Sequence, residues 1–330
     1  MTGRTNRRRR TVAGILVGLA VVTVVVGVVL AARGRSPSAP LPGPSGTASA
    51  RTAATPAATP TSAAPAAHLR GLAVTESRLA LVDPSRPVVS GGVTLATERH
   101  LATDVWTPTG PGPYPLVVFA PGYDKGPSDF ARFCSTLASS GYVVAAPSFP
   151  LEDPAQGFPL DRGDLPEEAG DVSFVITSLE RRSGPPALTT GQVAVVGHSD
   201  GADVALLVGY GPGTTDRRVT AVVAIAPDPM AAVPAPSSVP LLLVQGTEDS
   251  IVPYTASQTV FGQVDAPVTY LSLVGADHLA PIIGGTPWTP LLDGSVADFL
   301  DATVAGRGPG PAGLATALSG SPLVALRTKT

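Results

Sequence analysis

One serine near the middle of the chain lies in a pentapeptide that favours nucleophilic chemistry, Gly197-His198-Ser199-Asp200-Gly201. The apolar residues 193–196 before it predict a buried strand, and the apolar run 202–208 after it predicts a helix. A strand that turns into a helix within one residue strains the serine backbone and exposes its hydroxyl. The two flanking glycines leave room for both elements to pack. We therefore predict that Ser199 is a nucleophile at the carboxyl end of a parallel strand.

A serine nucleophile needs a general base, and the chain contains four histidines. His68 and His100 precede the main strands of the predicted sheet, and His198 lies inside the serine turn itself. Only His278 follows the last predicted strand. Elimination therefore selects His278 as the base.

The base in turn needs a carboxylate that orients its ring. Residues 241–245 predict a strand between the serine and the histidine, and Glu248 and Asp249 follow it closely. Both acids qualify by chemistry, whereas Asp277 is a weaker alternative because it adjoins His278 and cannot easily fold back on the ring. The chain order of serine, acid and histidine is the order found in α/β-hydrolases.

The elements around these residues alternate between strands and helices, which predicts one α/β domain with a mainly parallel sheet flanked by helices. Two early segments, near 79–82 and 88–93, are candidates for antiparallel strands. Asp171 is expected to cap the second helix. The remaining strands are predicted at 116–119, 143–146, 193–196, 219–225, 241–244 and 269–273, and the helices at 128–140, 172–182 and 295–303.

The N-terminal part of the chain has the pattern of an export signal. Arg4 and the arginines at 7–10 precede residues 11–32, a stretch of 22 residues without a charged side chain. This length suffices to cross a bilayer, and the arginines favour a cytoplasmic N-terminus. We favour an uncleaved signal anchor over a removed signal peptide. Residues 33–68, dominated by Ala, Pro, Ser and Thr, then form a linker without apolar periodicity, and the catalytic domain is expected at 69–330.

The composition argues against several other classes of function. The formal net charge is −3 and charged residues are 14% of the chain, so there is no electrostatic case for nucleic-acid binding. His, Cys and carboxylate residues form no cluster at metal-ligand spacing, and no metal or organic cofactor is implied. The single cysteine, Cys134, shares one helical face with Phe130, Phe133 and Leu137, which indicates a core position.

Seven segments in order resemble the lidless α/β-hydrolases of the dienelactone hydrolase, platelet-activating-factor acetylhydrolase and bacterial cutinase type, especially their actinobacterial relatives. The resemblance spans about residues 81–281 and is specific for the fold and the triad more than for the substrate. The segments are LVDPSRP, PYPLVVFAPGYDKGPSDF, SSGYVVAAPSFP, GDVSFVI, GHSDG, LLLVQGTEDSIVPY and GADHLAP.

This resemblance implies roles for individual residues. It selects Asp249 as the triad acid, and it implies an oxyanion hole formed by the backbone N–H groups of Tyr123 and Asp200. The short loop 226–238 implies that no large lid covers the cleft. Met230 in that loop is a possible pocket residue, and Trp288 could line the acyl pocket or pack on the sheet edge.

The chain also departs from its relatives in ways that bear on the substrate. Dienelactone hydrolases use a cysteine nucleophile where this chain has serine. Cutinases often carry a tryptophan where this chain has Asp228, which weakens a polyester assignment.

The expected function is therefore that of an exported, membrane-tethered serine esterase acting on a small-molecule or lipid ester, secreted if the anchor is cleaved. Two alternatives stay open. The acyl group could pass to a cell-envelope alcohol instead of water, or the fold could serve a non-catalytic envelope-binding protein.

Overall fold

The computed structural model describes residues 69–182, 188–232, 234–285 and 287–330. The predicted cytoplasmic segment 1–10, anchor 11–32 and linker 33–68 lie outside these residues. Within the described ranges, no helix combines the length and the apolar character needed to span a bilayer.

Eleven strands, seven α-helices and three short 3-10 helices, at Pro127–Phe130, Pro154–Gln156 and Arg162–Asp164, make up the regular structure of the described residues. The strands are β1 Val74–Asp83, β2 Val88–Ser90, β3 Val93–Ala96, β4 Arg99–Pro108, β5 Tyr114–Ala120, β6 Val143–Pro147, β7 Leu188–His198, β8 Val219–Ile225, β9 Leu241–Gly246, β10 Val268–Leu273 and β11 Val324–Lys329. The helices are α1 Ala131–Ser139, α2 Leu165–Glu180, α3 Asp200–Tyr210, α4 Tyr254–Gln263, α5 Ala280–Ile283, α6 Trp288–Thr303 and α7 Gly310–Leu318.

Nine of the strands form one sheet in the order β1-β4-β6-β5-β7-β8-β9-β10-β11, and β2 pairs with β3 in a separate hairpin. The six strands from β6 to β10 are mutually parallel. Antiparallel pairs extend this parallel centre on both sides, through β4 and β1 at one edge and β11 at the other. The carboxyl ends of the six parallel strands therefore meet along one edge, where sites in such sheets form.

Helices cover both faces of the sheet. The residues of α2, α3 and α4 pack with one set of strand side chains, and those of α1, α6 and α7 pack with the other. Strands β5 and β8 to β10 are almost entirely buried, as expected for parallel strands covered on both faces. This arrangement confirms the predicted α/β-hydrolase fold. Between β8 and β9, none of the described residues lies in a helix or strand, so the structure contains no large lid there.

The structure corrects several local predictions. Asp171 is not a helix cap: α2 begins six residues earlier, and Asp171 is buried inside it, where it accepts hydrogen bonds from Arg99. The segment 88–93 is not one strand, because the chain turns back at Gly91 and Gly92, whose φ angles are positive. Trp288 is the first residue of α6 rather than part of a loop.

Cys134 is fully buried in the core, as predicted. Strands β4 and β11 and helices α4, α5 and α7 were not predicted from the sequence.

Candidate active site

The candidate site lies along the edge formed by the carboxyl ends of the parallel strands. Ser199 follows β7 directly, Asp249 follows β9 and His278 follows β10. The loop of Tyr123 follows β5, and the loop of Asp228 follows β8. Because these five strands are neighbours in the sheet, residues far apart in the chain come from adjoining loops.

Ser199 sits in the sharp turn between β7 and α3, with φ of 57° and ψ of −127°. Its N–H donates to the carbonyl oxygen of Ile225 at 2.9 Å, which fixes the turn against β8. Asp124 and Ala226, in the loops after β5 and β8, also have positive φ. Such strained non-glycine residues cost free energy and concentrate at functional sites, and here all three lie at the same sheet edge.

The two glycines of the serine turn are required by close backbone contacts. A Cβ on Gly197 would lie 1.9 Å from the carbonyl oxygen of Gly201. A Cβ on Gly201 would lie 2.0 Å from the carbonyl oxygen of Ala120 in β5. Neither approach tolerates any side chain, so the spacing of the pentapeptide follows directly from the packing of α3 against β7 and β5.

The loop after β5 packs directly on the serine. A Cβ on Gly122 would lie 2.9 Å from Cβ of Ser199 and 3.5 Å from the backbone nitrogen of Asp200. The neighbouring residue, Tyr123, has an exposed side chain. The structure thus brings the loop of Tyr123 against the turn of Asp200, and the use of their N–H groups as oxyanion donors stays a prediction.

Asp249 and His278 are in direct contact. Nδ1 of His278 lies 2.7 Å from Oδ2 of Asp249, and both residues are buried. Oδ2 also accepts from Nε2 of Gln245, and Oδ1 accepts from the backbone N–H groups of Ile251 and Val252. Four donors therefore hold the carboxylate in one orientation. With its proton on Nδ1, His278 has Nε2 available to accept a proton.

The other two candidate acids lie elsewhere. Glu248 is exposed, and its backbone N–H donates to the carbonyl oxygen of Ala276. Asp277 accepts from the backbone N–H groups of Leu279 and Ala280, and it thereby shapes the start of α5. Among the acids weighed from the sequence, Asp249 is the one that contacts the imidazole.

A second histidine, His198, also lies at the site, and its role was not predicted from the sequence. Its Nε2–H donates to the carbonyl oxygen of His278 at 2.9 Å, and the centroids of the two rings are 4.6 Å apart. Complete burial, together with the neighbouring His278, lowers the pKa of His198 to about 3. His198 therefore stays neutral at ordinary pH and supports the loop of His278 without adding a second positive charge.

Arg162 forms a charged cluster beside the serine turn. This cluster, too, was not predicted from the sequence. The guanidinium of Arg162 makes two hydrogen bonds of 2.6 Å to the carboxylate of Asp200 and one of 3.0 Å to Asp228. It also lies 3.6 Å from Asp203 in the first turn of α3. The cluster ties the loop before α2 and the loop after β8 to the start of the serine helix.

The two predicted pocket residues lie in different surroundings. Met230 lines a cavity beside α3, together with Arg162 and Asp228. Trp288 donates from its indole N–H to the carbonyl oxygen of Val274 at 2.8 Å and packs against the core between the sheet, α1 and α6. Trp288 thus supports the loop after β10, which corresponds to the packing alternative considered from the sequence.

Comparison with known proteins agrees with this architecture. A family model described as Chlorophyllase matches residues 96–251, which is 156 of the 330 residues. The match includes Ser199, Asp249 and the loop of Tyr123, and it ends before His278. A search of curated proteins finds no significant match. The family match indicates an ester hydrolase of the α/β-hydrolase type.

Proposed function

We propose that the protein is a serine hydrolase that cleaves carboxylic esters through an acyl-enzyme, with Ser199 as nucleophile, His278 as base and Asp249 as the orienting acid. The observation that carries the proposal is the 2.7 Å contact between His278 Nδ1 and Asp249 Oδ2 in the loops beside the strained turn of Ser199. The subtype suggested by the sequence, a lidless relative of dienelactone hydrolase, platelet-activating-factor acetylhydrolase and cutinase, belongs to this proposal.

The chemistry proceeds in two steps that share the same groups. The Ser199 hydroxyl attacks the ester carbonyl while Nε2 of His278 takes its proton, and the imidazolium then protonates the leaving alcohol. Asp249 stabilises the imidazolium in both steps. Water, activated by the same Nε2, then attacks the acyl-enzyme and releases the acid. In the acyl-transfer alternative, a second alcohol replaces water in this last step.

The oxyanion of each tetrahedral intermediate needs donors whose positions are set before the charge develops. The N–H of Asp200 belongs to the first turn of α3, and the N–H of Tyr123 belongs to the loop that packs on Ser199. Rigid backbone donors of this kind each lower the barrier by about 3 kcal/mol. We assign these two groups to the oxyanion hole.

The N-terminal segment supports a proposal about where the protein acts. We propose that residues 11–32 anchor the protein in the cell membrane, with the catalytic domain outside and residues 33–68 as the tether. The support is the cluster of five arginines ahead of 22 uncharged residues, which favours a cytoplasmic N-terminus.

A fluorophosphonate probe tests the nucleophile on the full-length protein. Wild type should be labelled, and Ser199→Ala should lose both the label and p-nitrophenyl acetate hydrolysis. Ser250→Ala, which changes an exposed serine next to Asp249, is the matched control and should keep the label. Undiminished labelling of Ser199→Ala would refute the proposal, and absence of turnover on every ester despite labelling would favour the non-catalytic alternative.

A further inference from the structure

A cavity of about 470 Å³ lies between the start of α2, the first two turns of α3 and the loop after β8. Its volume falls within the range of about 300–1,000 Å³ that small-molecule sites occupy. Most of its lining is apolar, and the apolar residues are Leu165, Pro166, Leu207, Pro229, Met230 and Ala231. An apolar cavity of this size suits an aliphatic group better than a polar one.

Two walls of the cavity originate at the proposed nucleophile. The backbone N–H of Asp203, which lines the cavity, donates to the carbonyl oxygen of Ser199 one helical turn earlier. The loop that carries Met230 leaves β8 at Ile225, whose carbonyl oxygen accepts the N–H of Ser199. One residue of the cavity lining therefore lies one helical turn, about 5 Å along the helix axis, from the backbone of Ser199.

Hydrogen bonds fix the walls in place. The side-chain amide of Gln263, at the end of α4, accepts from the N–H of Met230 and donates to its carbonyl oxygen. The N–H of Asp228 donates to Asp203, and Arg162 bridges Asp228 to the serine helix. The loop is therefore tied to α4, α3 and the loop before α2, and the cavity is preformed rather than induced.

The charges at the rim determine which chain the cavity accepts. Arg162 is already engaged by the carboxylate of Asp200 in a two-point contact, and Asp228 adds a further acid. Burial raises the pKa of Asp203 well above its ordinary value. Among the described residues that line the cavity, the one cation is Arg162, which is already paired. A substrate chain that ends in a carboxylate would therefore find acids there and no available cation.

We infer that this cavity binds an uncharged aliphatic chain of the ester substrate and thereby sets the chain-length preference of the enzyme. The inference builds on the proposed function, because it assigns one part of the ester to a place beside Ser199. Either half of an ester can carry such a chain, so the acyl and alcohol sides have to be tested separately.

Two substrate series distinguish the two sides, each measured on the full-length protein below the solubility limit of the ester. The acyl series compares p-nitrophenyl octanoate with p-nitrophenyl acetate, and the alcohol series compares octyl acetate with ethyl acetate. Each methylene group that becomes fully buried should raise kcat/KM by about fourfold. In wild type, we expect the long chain to exceed the short one at least tenfold in one of the series.

Met230→Trp fills the cavity and should lower that long-to-short ratio at least tenfold. Leu69→Trp adds the same indole at an exposed position outside the cavity and should leave both ratios unchanged. Ala231→Trp, at the exposed rim, gives a second test if thermal unfolding shows that Met230→Trp is not folded.

The possible outcomes separate the two proposals. If Ser199-dependent turnover persists but neither Met230→Trp nor Ala231→Trp changes either ratio, the inference is overturned and the proposed function stands. Preference for p-nitrophenyl hydrogen succinate over p-nitrophenyl butyrate would also overturn it. If wild type shows no Ser199-dependent turnover on any ester, the proposed function fails and the inference fails with it.

Discussion

Each carboxylate oxygen of Asp249 accepts two hydrogen bonds, so a replacement side chain would face the same four donors. Two backbone N–H groups hold one oxygen, while Gln245 and His278 share the other. Gln245 is itself fixed, because its carbonyl oxygen accepts from the hydroxyl of Ser257 at 2.5 Å. The orientation of His278 is thus set by a chain of contacts that reaches into α4.

Asp249→Asn should lower kcat by about 10⁴-fold, because an amide in this position favours the wrong tautomer of His278. Glu248→Gln is the matched control at the neighbouring exposed acid, and it should change kcat less than tenfold. Steady-state kinetics on p-nitrophenyl acetate measures both. The reverse ranking of the two variants would show that the acid is misassigned.

The buried carboxyl group of Glu152 should make the free energy of unfolding depend on pH. It is completely buried, and within the described structure neither carboxyl oxygen has a hydrogen-bond partner. Burial, with a smaller contribution from Asp200, raises its pKa from the ordinary value of 4.5 to about 8. The folded protein therefore holds a proton there that the unfolded chain releases, and stability should fall as pH rises from about 4.5 to 8.

Glu152→Gln should remove the part of this dependence that comes from Glu152, because a neutral amide of the same shape has no proton to lose. Each pKa unit corresponds to about 1.4 kcal/mol, so the variant should gain stability by a few kcal/mol at pH 9 relative to wild type. Urea unfolding at pH 5 and pH 9 measures the difference. Glu248→Gln should follow wild type at both pH values, and an equal response from both variants would contradict the assignment.

At the scale of elements, Arg99 joins the antiparallel edge of the sheet to α2. It is fully buried in β4, contacts both carboxyl oxygens of Asp171 in α2, and also contacts both of Asp164 just before that helix. Asp164 lies two residues from Arg162. The contacts of Arg99 with Asp164 and Asp171 therefore also position the loop that carries Arg162 to the serine turn.

Arg99→Met should lower the free energy of unfolding by about 3–5 kcal/mol, because it leaves the buried carboxylate of Asp164 without its cationic partner and Asp171 with Arg86 alone. Arg78→Met, at an exposed arginine of β1 that lies 3.6 Å from Asp104, should cost less than about 1 kcal/mol. Chemical denaturation of both variants provides the comparison. Similar losses from the two would show that the Arg99 cluster does not stabilise the fold.

The elements also show what the sequence could reveal. The common location of Ser199, Asp249 and His278 could be predicted, because each follows an apolar run that predicts a strand, and strand ends of a parallel sheet share an edge. Strand β4 was missed because His100 and Asp104 interrupt its apolar residues. Arg162 was missed because an arginine among aspartates and glycines looks like a surface loop, and its partner Asp200 lies 38 residues away.

At the scale of the whole molecule, the proposed anchor makes a prediction about topology. Protease added to intact spheroplasts should cut within residues 33–68 and release an active fragment, because the catalytic domain is expected outside the cell. Immunoblotting and esterase assay of the supernatant measure the release. Bulk protein in the culture fluid that begins after residue 32 would show instead that the segment is cleaved.

Strand β11 determines which atoms a C-terminal truncation of the chain would expose. It pairs with the outer side of β10, a fully buried strand of six residues. Two of its side chains hold it to α4 and the residue after it: Arg327 stacks on the ring of Phe261, and Lys329 donates to the carbonyl oxygens of Phe261 and Val264. A truncation before residue 324 would leave the N–H and C=O groups of β10 open to pairing with other chains. Insolubility of such a truncated protein would reflect intermolecular strand pairing, with Ser199, Asp249 and His278 all still present.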